Sequence, residues 1–364
     1  MEAVVAILDT TLAVIFTWVA YKTGAYLYKY TPYSYPNARI RAMEAKLLSG
    51  QKFNELAESR TLQNFVVNLE DTEYKDYLAE LKSYSVEEIE RALEGAMAGT
   101  YRLMYKILPK RSRDFFGILL EEWDVRNIAS VVKAKLANEP ASDYVVELGK
   151  MLPIVKAMAE AKTMEEILVI LEGTPYEEPY QKLLLGEIDA TSFETELYRI
   201  YHSKLLSYAL SRKGEEKLIL TEFVRLSIDR KNISTILRAK TAGMSADEIQ
   251  TFLIPGGTVN LEPAIHVDSL DMALAELDST KYGPVIRSVR EEIEKDLSVL
   301  ERALEDHIIE RVAELDRFYP LSIATPLLYI LKKEREVRKL RAMAKLIGDG
   351  LNPEEIKHVV GEVE

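Results

Sequence analysis

One stretch of this chain recurs three times, and the recurrence limits the fold more than any other feature. "DRKNISTILRAKTAGMSADEI" begins at Asp229 and carries Asn232, Arg238, Lys240, Gly243 and Ser245. "EWDVRNIASVVKAKLANEPASD" carries Asp124, Asn127, Lys133, Lys135 and Asn138, and "REVRKLRAMAKLIGDGLNPEEI" carries Glu336, Lys339, Lys345, Gly350 and Asn352. The acidic residue precedes Asn138, Gly243 and Gly350 by fourteen positions each time. Glycine and asparagine best tolerate the left-handed conformation that ends a helix. The spacing therefore predicts a long helix that stops at each of them. Ser245 and Asn352 should cap the next helix, with Glu248 and Glu355 at capping-box distance.

A second element keeps step with the first. "LEDTEY", "LEGTPY" and "LDSTKY" place Thr72, Thr174 and Thr280 two residues before Tyr74, Tyr176 and Tyr282. Each is followed by a Glu-x-x-Leu helix start at Glu90, Glu194 and Glu301. The threonine leads the acidic residue of the long helix by 52, 55 and 56 positions. Two elements in step three times imply three homologous helical units of roughly one hundred residues. We place them at residues 34–140, 141–245 and 246–364. "ARIRAMEAKLLSG" at 38–50 echoes "RKLRAMAKLIGDG" at 338–350, which would set the first and last units side by side and close a ring. Recurrence in every unit makes Asp124, Asn127, Asp229, Asn232 and Glu336 core polar residues that hold helix register inside each unit, since a catalytic pair belongs in one unit only.

Composition agrees with an all-α chain. Only 13 prolines and 16 glycines interrupt 364 residues, so long stretches have no breaker. The clearest non-helical segment is "LIPGGTVNLEP" at 253–263. The net charge of −12 disfavours nucleic acid as a partner. The absence of cysteine excludes disulfides, thiolate metal sites and thiol catalysis, and fits a reducing compartment. No Gly-x-x-x-x-Gly-Lys-Ser/Thr loop is present to hold nucleotide phosphates. His202, His266, His307 and His358 are far apart, and His307 with Glu310 is a single pair at ligand spacing, more often ordinary surface charge than a metal site. No cofactor, metal or small-molecule substrate is expected.

Residues 1–33 differ from the rest. Ala3 to Tyr21 is apolar except for Asp9, Thr10, Thr11 and Thr17. As a helix it is about 28 Å long, close to one hydrocarbon core. Tyrosines 21, 26, 28, 30, 33 and 35, with Lys22 and Lys29, follow it, as at a membrane–water interface. No basic leader precedes the run, unlike a signal peptide. The lysines on its C-terminal side would leave the body in the cytoplasm. Pro32 and Pro36 are expected to end this segment. Three later loops carry a basic rim: Lys110, Arg111 and Arg113; Arg212 and Lys213; and Arg317. Repeat symmetry would gather them at one end, facing a membrane partner or anionic head groups.

"YPNARIRAMEAKLL", "LEGTPYEEPY" and the run from Asp229 through "LIPGG" resemble the C subunit of archaeal A-type ATP synthases, the relative of the d subunit of V-type ATPases. The likeness runs from about Tyr33 to the C-terminus. It implies three similar all-helical domains in a pseudo-threefold funnel, without catalytic activity. A protein of this family sits on the cytoplasmic face of the membrane rotor ring and takes the end of the central shaft into its mouth. The apolar N-terminal helix departs from the family's shortest members, and the lumen of the ring is one place for it. A membrane-tethered helical scaffold without a rotary role is the competing reading; an enzyme would need a convergent polar set confined to one unit.

Overall fold

Each Thr-x-Tyr turn is built the same way in the computed structural model, which describes residues 2–293 and 296–360, with side chains from Thr10 onward. The threonine hydroxyl donates to the leucine carbonyl three residues back, at 2.6, 2.7 and 2.6 Å for Thr72, Thr174 and Thr280. The amide of the following tyrosine donates to that hydroxyl at 3.2–3.3 Å. This local bond fixes a tight turn and leaves Tyr74, Tyr176 and Tyr282 buried at 0–3% exposure.

Around these turns the described residues are helical, with no strand. Helix α1 spans Glu2–Glu44. Short helices α2 (Gly50–Ala57), α3 (Leu62–Val67) and α4 (Lys75–Leu78) lead into the long pair α5 (Val86–Ile107) and α6 (Lys110–Leu136). The order then repeats: α7 (Leu152–Glu160), α8 (Met164–Leu171) and α9 (Glu177–Leu184) precede α10 (Ala190–Ser211) and α11 (Gly214–Thr241). After α12 (Ala246–Thr251) it repeats again. Here α13 (Glu262–His266), α14 (Leu270–Asp278), α15 (Gly283–Ser288) and α16 (Arg290–Ile293) precede α17 (Ser298–Phe318) and α18 (Ala324–Gly348); α19 (Pro353–Val360) follows.

The six long helices pack in cyclic order. α5 lies on α6, α6 on α10, α10 on α11, α11 on α17, α17 on α18, and α18 returns to α5. Apolar positions at helical spacing make this packing, as with Ile89, Leu93, Met97 and Met104 on α5. Leu93, Leu197 and Leu304, from the three Glu-x-x-Leu starts, are each fully buried. Phe115 on α6 meets Tyr208 on α10 and Phe223 on α11 at ring distances of 5.9 and 6.2 Å.

Helix ends follow the spacing argument. Asn138, Gly243 and Gly350 have φ of 57°, 73° and 80°. Each forms the same paired bonds, Glu139 N–H to Ala134, Met244 to Ala239 and Leu351 to Leu346 closing the wider ring. Ser245 and Glu248 form a reciprocal capping box, and Asn352 and Glu355 exchange the same pair of bonds.

The prolines do not end the first segment: α1 runs through both Pro32 and Pro36. Four residues apart, they open both gaps in the hydrogen-bond ladder on one side. The carbonyls they free, on Tyr28 and Pro32, belong to exposed residues and reach water. Against that cost, Tyr33, Pro36, Asn37 and Ile40 make one buried stripe. The Tyr33 hydroxyl shares a 2.8 Å bond with Ser112 Oγ. The Asn37 amide donates to the Pro320 and Ser322 carbonyls and to Thr325 Oγ1 at 2.9–3.1 Å. Tertiary packing outweighs the local breaker. Every residue from Thr10 to Tyr28, by contrast, is exposed. Asn37→Ala should lower stability by about 1 kcal/mol, since it strips the buried Ser322 carbonyl of its donor. Thermal melts should show the loss, and hydrogen exchange should speed up along α1 from Tyr30 to Ile40.

Candidate functional site

The repeated polar residues join one unit to the next. Asp124, on α6, accepts from the Lys150 and Met151 amides at 3.0 and 2.8 Å, at the entry to α7. Asn127 bonds the Val146 and Leu148 carbonyls and the Val146 amide, all at 2.9 Å. One unit on, Asp229 accepts from the Thr258 amide at 2.8 Å, from its hydroxyl, and from the Tyr282 hydroxyl at 2.9 Å. Asn232 pairs with both backbone groups of Ile254 at 2.8 Å. Recurrence alone assigns these residues to helix register within a unit; the structure corrects that assignment, since they hold the loops that follow. A side chain facing a neighbouring long helix would meet no free backbone groups; a loop offers amides and carbonyls that the helix ladder has not used.

Glycines let the loops approach. A Cβ on Gly149 would lie 2.2 Å from Asp124 Oδ1, and one on Gly257 would lie 2.2 Å from Asp229 Oδ1. Gly149 also has φ of +133°. Burial raises the Asp124 pKa, and the Lys150 and Met151 amides oppose that shift by favouring the anion.

Glu336 makes the third clasp, and it reaches back to the start of the chain. It accepts from the Leu48 amide before α2 and from the Tyr74 hydroxyl at 2.6 Å. Lys333, only 1% exposed, adds a 2.8 Å ion pair to Glu336 and a second pair to Glu73. Its ammonium also sits 4.0 Å from the centre of the Tyr74 ring. Burial, then the Glu336 charge, pushes the Tyr74 phenol well above its usual range; burial, then Asp229, does the same for Tyr282. Tyr176 is raised by burial and by Glu121 and Asp124. All three phenols stay protonated, and those of Tyr74 and Tyr282 donate to Glu336 and Asp229. The Lys333 contribution was not legible as a motif, since Glu121 and Leu226 hold the matching positions.

Inside the ring lies a cavity of about 330 Å³ lined by all six long helices. Arg126 pairs with Glu122, Arg238 with Glu301 and Arg338 with Glu305. His202 is 5% exposed, its Nδ1 donates to the Tyr198 carbonyl at 2.9 Å, and burial lowers its pKa to about 4. His307 packs edge-on against Tyr282 at 5.7 Å. Among the described residues no three His, Asp or Glu side chains gather as a metal site.

The basic residues occupy three hairpin junctions around α1. Arg111 donates to the Lys29 carbonyl and lies 5.0 Å over the Tyr33 ring. Arg212 stacks on Tyr208 at 4.7 Å, and Arg113 on Tyr105 at 5.6 Å. Lys110, Lys213 and Arg317 are exposed. Arg111, Arg212 and Lys213 share one cavity with Lys29 and Tyr33. Arg317, on the third junction, does not line it. Among the described residues no helix is long and apolar enough to cross a membrane. The run Ala3–Tyr21 lies only partly within them, because the side chains through Asp9 fall outside.

Replacing Gly149 with alanine should cost about 3 kcal/mol, from backbone strain and from displacement of a buried carboxylate. Gly173→Ala, also at positive φ but with no atom within 4 Å, should cost about 1 kcal/mol. Denaturation midpoints of the two variants test the difference.

The ATP synthase (C/AC39) subunit family model matches residues 36–359. The C subunit of the A-type ATP synthase from Desulfurococcus sp. (strain SY) is 78% identical over the full length of both chains. Its counterpart from Thermococcus kodakarensis is 69% identical, again over both full lengths. The one from Methanocaldococcus jannaschii is 33% identical over 90% of this chain and 86% of its own. The family match begins at Pro36, so the apolar part of α1 precedes it, whereas the first two relatives align through it. With the match running from residue 36 to residue 359 and relatives identical at up to 78% over both full lengths, the chain belongs to the ATP synthase (C/AC39) subunit family.

Proposed function

We propose that this non-catalytic central-stalk component of an A-type ATP synthase works as a closed helical socket between the central shaft and the membrane rotor ring. Three units, near 34–140, 141–245 and 246–364, form a pseudo-threefold funnel. The observation that carries this reading is the cyclic packing of the six long helices, with a clasp at every seam. A socket passing torque must not open or slip, and a ring without free ends meets that need. Close-packed helices deform little under load. The shaft enters the cavity lined by all six helices.

The opposite end faces the ring. All three hairpin junctions touch α1: Arg111 and Ser112 at the first, Glu215 at the second, Pro320 and Ser322 at the third. The apolar part of α1 therefore leaves the body where the three units meet. Projecting from the rotation axis, it enters the lumen of the ring and turns with it, where a tether outside would obstruct rotation. The exposed apolar side chains of Leu12, Val14, Ile15, Phe16, Trp18 and Val19 gain nothing by lying in water. The exposed Lys110 and Arg317 dock on the polar loops of the ring, a sparse contact that lets the soluble sector detach.

A tagged chain recovered from detergent-solubilised native membranes should bring down both nucleotide-binding subunits and a small ring protein. A form lacking residues 1–27 should keep the former and lose most of the latter. Recovery of neither by the full chain would contradict the socket and favour a scaffold without a rotary role.

A further inference from the structure

A cavity of about 460 Å³ lies at the foot of the apolar part of α1. Its charged lining is Lys29 on α1, Arg111 on α6, and Arg212, Lys213, Glu215 and Glu216 around the start of α11. Glu215 is already answered, by Lys29 at 3.0 Å and by the Tyr30 hydroxyl at 3.1 Å. Arg111, Arg212 and Lys213 have no carboxylate of the described residues at ion-pair distance, although the chain carries an excess of acidic residues. The Arg111 Nε and one Glu216 oxygen are buried without a hydrogen-bond partner. Burial raises the Glu216 pKa, against the pull of Arg111 and Arg212. Three cations thus face one carboxylate that is poorly placed to neutralise them.

The position of this cavity along α1 points to the ligand. Tyr26 and Tyr28 are 58% and 84% exposed, and Lys29 follows Tyr28 directly. Exposed tyrosines beside lysines mark the level of lipid head groups. If α1 enters the bilayer, the cavity opens at the head-group layer, where phosphates are the abundant anions. Tyr28, which lines the same cavity, offers an aromatic face to the glycerol and upper chain of the same lipid. We infer that this cavity binds the phosphate of an anionic membrane lipid, with Arg212 and Lys213 as the principal contacts and Arg111 behind them. The inference rests on membrane insertion of α1, deepens it, and names a lipid that would fasten the protein at the centre of the ring.

The test uses the full chain carrying Trp123→Phe, which leaves Trp18 as the sole tryptophan. Vesicles of phosphatidylcholine with brominated acyl chains, with or without phosphatidylglycerol, quench Trp18 when the helix inserts. Quenching is expected with both lipids, and phosphatidylglycerol should tighten partitioning about tenfold or more, given the usual contribution of each cation at an anionic surface. Arg212→Glu with Lys213→Glu should abolish that gain. Lys82→Glu with Lys162→Glu makes the same charge change at residues outside the cavity and should retain it. If the reversed pair fails to fold, Arg212→Gln with Lys213→Gln gives the same comparison. Quenching without any gain from phosphatidylglycerol, or an equal loss in both double variants, would overturn the lipid site and leave insertion standing. No quenching with either lipid would overturn both. Loss of the gain in added inorganic phosphate at constant ionic strength would show a phosphate site without preference for lipid and would also refute the inference.

Discussion

A buried carboxylate on one helical unit, holding the backbone of the next, is the interaction on which the rest of this structure depends. Asp124, Asp229 and Glu336 each sit mid-way along a long helix whose own amides and carbonyls are satisfied. Their unmet partners are loop amides and tyrosine hydroxyls across the seam. A buried carboxylate left without donors is costly, so opening one seam exposes that cost at once. The clasp therefore specifies which unit follows which, and how closely. The glycines at 149 and 257 stand where a side chain would block that approach.

The three seams differ in chemistry. Two are drawn together by amides, hydroxyls and asparagine bridges along continuous chain, the second with a partly exposed Lys281 3.4 Å from Asp229. The third closes the ring between segments more than 250 residues apart, and there a buried lysine joins the carboxylate and the tyrosine. Loop closure over such a separation has a larger entropic cost than at the other two seams. The Lys333 ammonium adds a buried cationic donor to the carboxylate of this clasp. The buried cation thus falls where the chain gives least help. In the proposed socket, a weak third seam would be the place to slip.

Much of this was legible in the residues themselves. Left-handed Asn138, Gly243 and Gly350, the caps at Ser245 and Asn352, and the Thr-x-Tyr turns all act within a few positions, and local spacing reveals them. The packing of first unit on last was foreshadowed by the echo between 38–50 and 338–350. What local pattern hid was the partner of each polar residue. Asp229 reads the same on a helix whether it faces a helix or a loop, and only the fold brings Thr258 and Tyr282 to it. The same limit explains Pro32 and Pro36, which are breakers by local rule but are carried inside α1 by Tyr33, Asn37 and Ile40. It also explains Arg111, which looked like a free member of a basic rim and instead packs on Tyr33 and the backbone of α1.

The closing seam is the most direct place to test the account. A double-mutant cycle with Tyr74→Phe and Glu336→Gln, measured by denaturant unfolding, isolates the coupling between two residues 262 positions apart. The structure predicts a coupling energy of about 2 kcal/mol, comparable to that between Tyr282→Phe and Asp229→Asn at the preceding seam. Effects that simply add, to within about 0.5 kcal/mol, would mean that the ring is not held closed by these clasps.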